Sequence, residues 1–238
     1  MSETKKETLA LADMMKTVEA WKTGQVLLPN VPRWNNYNKI KGVRLQNTLQ
    51  HTHSVVFFGM WMLERMEEYL SPMFDKYFFI TSLHLHDEGE GIIGEDTLYD
   101  LKTPEKDAKE YSAFAEYYKP LLERKVWEHV HAAYLLQYCT KDVSKFPKEA
   151  RGIVQGLLHS KKDEALLFDL VERVDYMLYA IEQYDALKEK NPKEGLRILQ
   201  EVWQVRQRSP ILNLREKILG SELIWSNELT QELDEIVS

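Results

Sequence analysis

Apolar side chains recur every three or four residues along most of the chain, and this spacing constrains the fold more than any other feature. The clearest stretches contain Leu9, Met14, Val18 and Trp21; Val55, Phe58, Trp61, Met62 and Met66; and Leu166, Leu170, Val174, Leu178 and Ile181. An α-helix turns once in about 3.6 residues, so each stretch places its apolar side chains on one face of a helix. The pattern predicts an all-α fold.

Prolines and N-cap residues divide the chain into separate predicted helices. The prolines between periodic stretches are Pro72, Pro104, Pro147, Pro192 and Pro210. Thr103-Pro104 and Asn191-Pro192 predict an N-cap followed by proline in the first turn. The predicted helices lie near 8–23, 46–70, 76–88, 104–118, 121–140, 147–159, 163–190, 192–208 and 211–219, with a last one from about 221 to the end. Residues 24–42 are the longest irregular stretch near the N-terminus, and loops of this length are often functional.

Charge and cysteine content exclude several classes of protein. The formal net charge of −7 argues against binding to nucleic-acid polymers or to an anionic membrane. No window is long and apolar enough to span a bilayer, and the N-terminal residues contain no apolar signal core. The single cysteine, Cys139, cannot form an internal disulfide. We expect one domain over residues 1–238, located in the reducing cytoplasm.

Two His-x-His pairs, at residues 51–53 and 84–86, are the first sign of a metal site. On a β-strand both histidines of a pair would face the same side, as in a barrel metallohydrolase. In a helix, residues two apart point about 200° away from each other, so each pair contributes one ligand. Adjacent His86 and Asp87 differ by only about 100° and can converge on one ion. We therefore predict His51, His86 and Asp87 as ligands, and packing or supporting roles for His53 and His84.

A fourth ligand is expected from a carboxylate on an apolar helix. Asp175 lies between Val174 and Tyr176, with Leu178 three residues later, so it borders a buried stripe. An unpaired carboxylate there is costly unless a cation compensates it. The alternative is a surface aspartate that pairs with a basic residue. Together with the other three ligands, Asp175 is predicted to bind the metal.

The order of these residues resembles that of a known family. The motifs are Arg44-x-x-Asn47-x-x-x-His51, His86-Asp87-x-x-Glu90-x-x-x-Gly94 and Val171-x-Arg173-x-Asp175. They are similar to motifs of the HD-domain metal-dependent phosphohydrolases, and most similar to the bacterial 5′-deoxynucleotidases, which cleave phosphate from deoxynucleoside 5′-monophosphates. The likeness covers a core of residues 33–185 and leaves residues 190–238 as a C-terminal helical extension. It implies an HD-type helical bundle around a single divalent-metal site.

The resemblance also implies roles for individual residues. His51, His86, Asp87 and Asp175 would hold the ion, and Glu90 would help to handle the attacking water. Arg33-Trp34 matches an Arg-Trp pair that shapes the substrate pocket, although it lies farther upstream than in the family's pattern. Glu95 stands where the family has an aspartate after the glycine, and Asp96 follows it.

The predicted ligands and cations suit the hydrolysis of a phosphate ester. Two imidazoles and two carboxylates favour one divalent transition metal, which could be Mn, Co, Fe, Ni or Zn, with Mg also compatible. Such an ion activates water and polarises a phosphoryl oxygen. Arg33 and Arg44 can each grip phosphate through two hydrogen bonds, and Trp34 can pack against a sugar or base. The expected substrate is a small nucleotide.

Four functions are compatible with the sequence to different degrees. The favoured one is release of phosphate from a (deoxy)nucleoside 5′-monophosphate. A deoxynucleoside triphosphate triphosphohydrolase is the enzymatic alternative, and its extra cations could come from Lys109, Lys119, Lys161 or Lys162. A non-catalytic nucleotide-binding HD protein and a purely structural helical protein are the other two. HD nucleotidases are often dimeric, so the resemblance makes a homodimer one option.

Overall fold

The computed structural model describes residues 15–16, 18–20, 26–96 and 102–238. Within these ranges the protein is all-helical, and the only β-type pairing is an isolated antiparallel bridge between Pro32 and Asn47. The predicted all-α class is therefore confirmed. Most of the helix predicted at 8–23 lies outside the described residues. None of the described helices is long and apolar enough to cross a membrane.

The helices follow the predicted order closely. They are α1 (Thr48–Met66), α2 (Lys76–Leu85), α3 (Glu88–Ile93), α4 (Pro104–Tyr118), α5 (Arg124–Leu135), α6 (Lys148–Ser160), α7 (Lys162–Leu187), α8 (Pro192–Gln200), a π-helix (Glu201–Gln207), α9 (Arg208–Lys217) and α10 (Asn227–Val237). Short 3₁₀ turns cover Leu28–Asn30, Glu67–Tyr69, Leu136–Tyr138 and Ser221–Leu223.

Local sequence explains where several helices begin. Asn47 and Gln50 form a reciprocal capping box at the start of α1, which satisfies two backbone N–H groups that have no partner inside the helix. Thr103 caps α4 as predicted, and its hydroxyl accepts from the Lys106 N–H. Asn191 precedes Pro192 at the start of α8, but its side chain makes no capping bond.

Several helix ends differ from the predicted ranges by a few residues, and two breaks between helices differ from the sequence prediction. The helix expected at 76–88 ends at Leu85, and a separate α3 begins at Glu88. Asp87 has φ −96° and ψ 3°, outside the helical region, so the chain bends between the two helices. The break predicted at Pro210 is absent, because the π-helix joins α8 to α9. Proline has no N–H to donate to the carbonyl four residues earlier, and a widened turn just before it accommodates that loss.

The long helix α7 forms the centre of the molecule. It packs against α1 on one side and against α8, the π-helix and α9 on another. Trp203 and Trp225 are fully buried and anchor the C-terminal helices to the core. At the crossing of α1 and α2, a Cβ on Gly59 would overlap the Leu83 side chain. Glycine therefore lets α1 approach α2 closely, and this approach brings their polar ends together.

Candidate metal centre

Five polar side chains from three places in the chain meet in the interior. His51 lies in the first turn of α1, His86 and Asp87 lie at the bend between α2 and α3, and Glu172 and Asp175 lie on α7. His51 is completely buried, and His86, Asp87 and Asp175 are each at most 5% exposed. Buried charged groups are costly unless they are paired or bind an ion.

The three ligands predicted on α1 and at the α2–α3 bend converge on one point. Nε2 of His51 lies 3.3 Å from Nε2 of His86. Oδ2 of Asp87 lies 3.2 Å from Nε2 of His86 and 3.6 Å from Nε2 of His51. One ligand atom from each residue falls within 4.8 Å of the other two, a grouping that could hold a metal ion. The structure therefore brings together His51, His86 and Asp87.

Glu172 joins this group, and sequence reasoning did not identify it. Its Oε1 lies 3.0 Å from Nε2 of His86 and 3.3 Å from Nε2 of His51. The same oxygen is buried and accepts no conventional hydrogen bond among the described residues. Glu172 lies three residues before Asp175, so the two share one stripe of α7. The apolar context used to select Asp175 therefore applies equally to Glu172.

Asp175 takes a different position from the one expected of a ligand. Its Oδ2 lies 2.7 Å from Nδ1 of His51, and its Oδ1 accepts from the Ser54 hydroxyl at 2.5 Å. Asp175 thus contacts the ring edge that faces away from His86. Three residues along a helix advance the chain by about 4.5 Å, and the side chain of aspartate is shorter than that of glutamate. Asp175 therefore ends beside Nδ1 of His51, away from the two Nε2 atoms.

The partners of the two Nδ1 atoms define which imidazole nitrogens carry protons. Nδ1 of His86 lies 2.7 Å from the Leu83 carbonyl oxygen, which can only accept. Nδ1 of His51 faces the Asp175 carboxylate in the same way. In the neutral rings both Nδ1 atoms are therefore donors, and both Nε2 atoms present lone pairs. Four electron-pair donors, two from nitrogen and two from carboxylate oxygen, then lie close together, and a bound cation or a proton would relieve their repulsion.

The pKa shifts of the surrounding groups also favour a positive charge at this site. Burial lowers the pKa of His51 and Arg33 lowers it further, but the carboxylates of Glu172 and Asp175 outweigh both and raise it to about 9. Burial raises the pKa of Glu172, yet the two imidazoles outweigh this and bring it well below its usual range. The centre therefore binds positive charge, which can be a proton or a metal ion.

Arg33 lies beside the centre and contacts Asp87. Its Nη1 donates to Oδ2 of Asp87 at 3.0 Å, and both side chains are 7% exposed. Its Nε is buried and has no hydrogen-bond partner among the described residues. A buried guanidinium N–H without an acceptor is costly. Arg33 is therefore equipped to donate to a bound anion while it holds Asp87.

Trp34 sets the direction in which Arg33 points. It is the only non-glycine residue with positive φ in the described ranges, at 59°, and such a backbone costs free energy that its surroundings must supply. Its ring stacks on Tyr179 at 4.2 Å between centroids, and its Nε1 donates to Gln46 at 2.8 Å. These contacts hold the strained turn, so Trp34 packs inward while Arg33 reaches Asp87.

Glu90 lies beside the centre, in the same cleft. Its side chain is 3% exposed, and its Oε1 lies 2.6 Å from Nζ of Lys102. Burial raises the pKa of Glu90 against the opposing effect of Lys102, and nearby carboxylates, including Asp87, contribute to a final value of about 8. Its Oε2 is buried without a hydrogen-bond partner in the described part of the chain. One oxygen of Glu90 is thus held and the other is available.

Arg44 and Glu95, both predicted to bind substrate, are not among the side chains that line the cleft. Arg44 pairs with Glu182 at 2.8 Å, and both side chains are about half exposed. Its backbone is fixed to α7, because its N–H donates to Gln183 and its carbonyl accepts from Tyr179. Glu95 follows the left-handed Gly94 and is 73% exposed. The next residue, Asp96, lines the cleft instead.

The cleft extends well beyond the metal centre. Its lining consists of Arg33, Trp34, His86, Asp87, Glu90, Asp96, Lys102, Gln137, Lys141, Phe168, Asp169, Glu172, Tyr176, Val202, Arg206 and Gln207. The last three belong to the π-helix, so the C-terminal extension forms one wall of the cleft. Sequence reasoning assigned no role to that extension. A π-helix at a cleft wall is a common feature of functional sites.

Comparisons of the chain with protein-family models, with curated proteins and with solved structures found no match. A functional proposal for this chain therefore rests on the chemistry of its own residues and on the resemblance of their motifs.

Proposed function

We propose that this protein is a divalent-metal-dependent phosphohydrolase that releases phosphate from a (deoxy)nucleoside 5′-monophosphate. The observation that carries the proposal is the convergence of His51 Nε2, His86 Nε2, Asp87 Oδ2 and Glu172 Oε1 in the interior. Its sequence resemblance to the HD-domain phosphohydrolases supports the same reaction class.

The donor set fits a divalent transition metal. His51, His86, Asp87 and Glu172 would hold the ion, with Asp175 orienting His51. Mixed nitrogen and oxygen ligands suit Mn, Co, Fe, Ni or Zn, and Mg is also compatible. When bound, the ion lowers the pKa of water and polarises a phosphoryl oxygen. Two imidazoles and two carboxylates form a formally neutral set with a divalent ion, which leaves the charge of the phosphate to be met by other residues.

Arg33 supplies positive charge for the phosphate. Arg33 lines the cleft and carries a buried Nε donor without a partner among the described residues. A guanidinium can donate to two oxygens of a phosphate at once. Lys102 lines the same cleft through an ammonium group that also contacts Glu90.

Glu90 is the group best placed to accept a proton. In hydrolysis, water attacks phosphorus, its proton passes to a base, and the bond to the nucleoside 5′ oxygen breaks. Oε2 of Glu90 is buried beside the metal centre and lacks a hydrogen-bond partner in the described residues. A positioned carboxylate of this kind contributes a typical rate factor of about 10² to 10⁴. The leaving oxygen then takes up the proton.

The rest of the cleft suits an organic group attached to the phosphate. Trp34, Phe168 and Tyr176 provide aromatic surface near the centre. Gln137, Asp169 and Gln207 provide polar groups in the same lining. An apolar lining with a few polar groups is typical of small-molecule sites. The nucleotide identity of the substrate comes from the resemblance, and the cleft chemistry agrees with it.

A deoxynucleoside triphosphate triphosphohydrolase is the second candidate. Two further cations, Lys141 and Arg206, line the cleft and could meet additional phosphates. The lysines expected to do this, Lys109, Lys119, Lys161 and Lys162, are not among the lining residues. A non-catalytic nucleotide-binding protein is a weaker candidate, because it has no need of a buried proton acceptor beside the metal centre.

The test is product release from a panel of ribo- and deoxynucleoside mono- and triphosphates. The protein is stripped with EDTA and reloaded with Mn, Co, Ni, Zn or Mg. Metal-dependent release of orthophosphate from monophosphates is the expected result. Triphosphate release from deoxynucleotides would favour the second candidate, and one equivalent of bound metal without turnover would overturn both.

Neighbouring histidines provide matched controls. His51→Ala and His86→Ala are expected to abolish metal binding and turnover. His53→Ala and His84→Ala each remove an imidazole two residues along the chain from a proposed ligand, and both of these side chains are exposed. They are expected to preserve both properties. Equal losses in all four variants would mean that the convergent group has no special role.

A further inference from the structure

A lysine and two glutamates form a buried chain that ends at the proposed proton acceptor. Nζ of Lys102 lies 2.6 Å from Oε1 of Glu90 and 3.1 Å from Oε2 of Glu110. Glu90 is 3% exposed, Glu110 is 6% exposed and Lys102 is 17% exposed. A buried ion pair is costly to build, because both charges lose water. Stability alone is therefore a weak explanation for this group.

Local structure fixes the positions of these three side chains. Lys102 immediately precedes Thr103, the N-cap of α4, and Glu110 lies two turns into the same helix. Glu90 lies on α3, which packs against α4. A Cβ on Gly89 would lie 2.6 Å from the Glu110 carbonyl oxygen, so glycine permits this close approach. Glu90 and Glu110 therefore come from two helices that approach closely at Gly89, and Lys102 lies just before the second of them.

The two oxygens of Glu90 have opposite environments. Oε1 is held by the Lys102 ammonium, whereas Oε2 is buried and lacks a partner among the described residues. Both Glu90 and Lys102 line the cleft together with His86, Asp87 and Glu172. A carboxylate with one oxygen restrained has less rotational freedom at its terminal torsion. The remaining oxygen then keeps a constant direction.

We propose that Lys102 is a positioning residue, which holds Oε1 of Glu90 so that Oε2 meets the reacting water, and that Glu110 holds Lys102 in turn. This inference rests on the proposed phosphohydrolase function and deepens it. Lys102 acts through Glu90 and is not required to touch the substrate. The network also keeps positive charge next to Glu90, which favours its anionic, proton-accepting form.

A second lysine offers a matched control elsewhere in the molecule. Nζ of Lys161 lies 3.3 Å from Oδ2 of Asp75 and 3.3 Å from Oε1 of Glu164, and its side chain is 21% exposed. It thus bridges two carboxylates at nearly the same burial as Lys102. Lys161 does not line the cleft. The Lys161→Met variant therefore measures how much stability is lost when a bridging ammonium is removed outside the cleft.

The experiment compares Lys102→Met, Lys102→Arg, Glu110→Gln and Lys161→Met in the metal-loaded protein. The readouts are kcat, KM, bound metal and thermal midpoint. Lys102→Met is expected to lower kcat more than tenfold, with KM and metal content nearly unchanged. Lys102→Arg is expected to restore most of kcat, and Glu110→Gln to lower it only severalfold. Lys161→Met is expected to lower the thermal midpoint without changing kcat.

Two kinetic outcomes would overturn the proposal. An effect of Lys102→Met confined to KM would assign the ammonium to phosphate binding. Equal kcat for Lys102→Met and Lys161→Met would make the network structural only. The pH profile adds a further check, because loss of the cation beside Glu90 should shift its ionisation, and the kinetic limb that reports it, to higher pH.

Carboxyl ¹³C NMR separates this proposal from the proposed function. The Glu90 signal is assigned by its loss in Glu90→Gln and titrated in the wild type and in Lys102→Met. An upward shift of its midpoint in Lys102→Met is expected whether or not any substrate is turned over. A shift without turnover of any phosphate ester would overturn the proposed function but would support the contact between Lys102 and Glu90. Turnover with an unmoved Glu90 midpoint would sink the positioning role.

Discussion

The two carboxylates on α7, Glu172 and Asp175, lie one turn apart and contact opposite edges of the same imidazole. Glu172 approaches Nε2 of His51, where His86 is also within reach. Asp175 approaches Nδ1 of His51 and is held by the Ser54 hydroxyl. Two acids on one stripe of a helix can therefore have different contacts. In the proposed function, Glu172 would bind the cation and Asp175 would orient the histidine that binds it.

The oxygens of the two acids differ in the same way. Oε1 of Glu172 has no conventional hydrogen-bond donor among the described residues. Both oxygens of Asp175 face a protein donor, one from His51 and one from Ser54. An orphaned oxygen in the interior calls for an ion, whereas a satisfied one supports its neighbour. The following predictions test this division.

Glu172→Gln should have the largest effect. The amide keeps the shape of the side chain but removes its charge, so the metal loses an anionic ligand. We expect metal affinity to fall by more than about 100-fold, above the usual effect of outer-shell residues, and turnover to fall with it. Calorimetry of metal binding and the metal content after dialysis measure this. Glu182→Gln, on the exposed side of the same helix, should behave as wild type.

Asp175→Asn should have a smaller effect. The change removes the negative charge that supports the Nδ1 proton of His51 but leaves the four converging atoms in place. A loss of about 10- to 100-fold in metal affinity is expected, as for other partners of ligating histidines. Asp185→Asn is the control, because Asp185 is exposed and pairs with Lys188 on α7. If Asp175→Asn abolished binding and Glu172→Gln did not, the two roles would be reversed.

The pH dependence of metal binding should follow the two imidazoles. Burial lowers the pKa of His86, but Asp87 and Glu172 outweigh this and raise it well above its ordinary value, and each proton lost adds to the pH slope that His51 gives. The raised pKa of His51, about 9, means that a proton occupies its Nε2 below that pH and competes with the metal. Affinity should therefore rise by up to about tenfold per pH unit for each imidazole between pH 6 and 8.5. In Asp175→Asn the pKa of His51 is lower, so the rise should level off earlier. Titrations at several pH values measure both curves, and a flat wild-type curve would contradict the competition.

Ser54→Ala should have the smallest effect. It removes the hydroxyl that donates to Oδ1 of Asp175 at 2.5 Å, while Oδ2 keeps its contact with His51. A single lost hydrogen bond corresponds to a change of about three- to tenfold. We expect metal affinity to fall by an amount in this range, measured by the same calorimetry. Ser160→Ala, which removes an exposed bond to the Gly156 carbonyl, should leave affinity unchanged.

Much of the fold follows from local sequence. Helical periodicity and capping residues depend on neighbours within one or two turns, and they correctly predict the all-α class and the start of α4 at Pro104. The boundary errors occur where a non-local requirement acts. The bend at Asp87 and the π-helix before Pro210 both lie next to the cleft. Periodicity carries no information about such places.

The sequence by itself determined which residues could form the centre, because His51, His86 and Asp87 have spacings that limit their directions on a helix. Only the tertiary structure placed Oε1 of Glu172 beside the two Nε2 atoms and Oδ2 of Asp175 beside Nδ1 of His51, since both acids share a stripe of α7 and their contacts depend on how far that helix is shifted along α1. It also decided that Lys102 meets Glu90 and that Arg44 does not reach the cleft. The axial offset of packed helices is set by side-chain packing across the whole core, which local spacing does not encode.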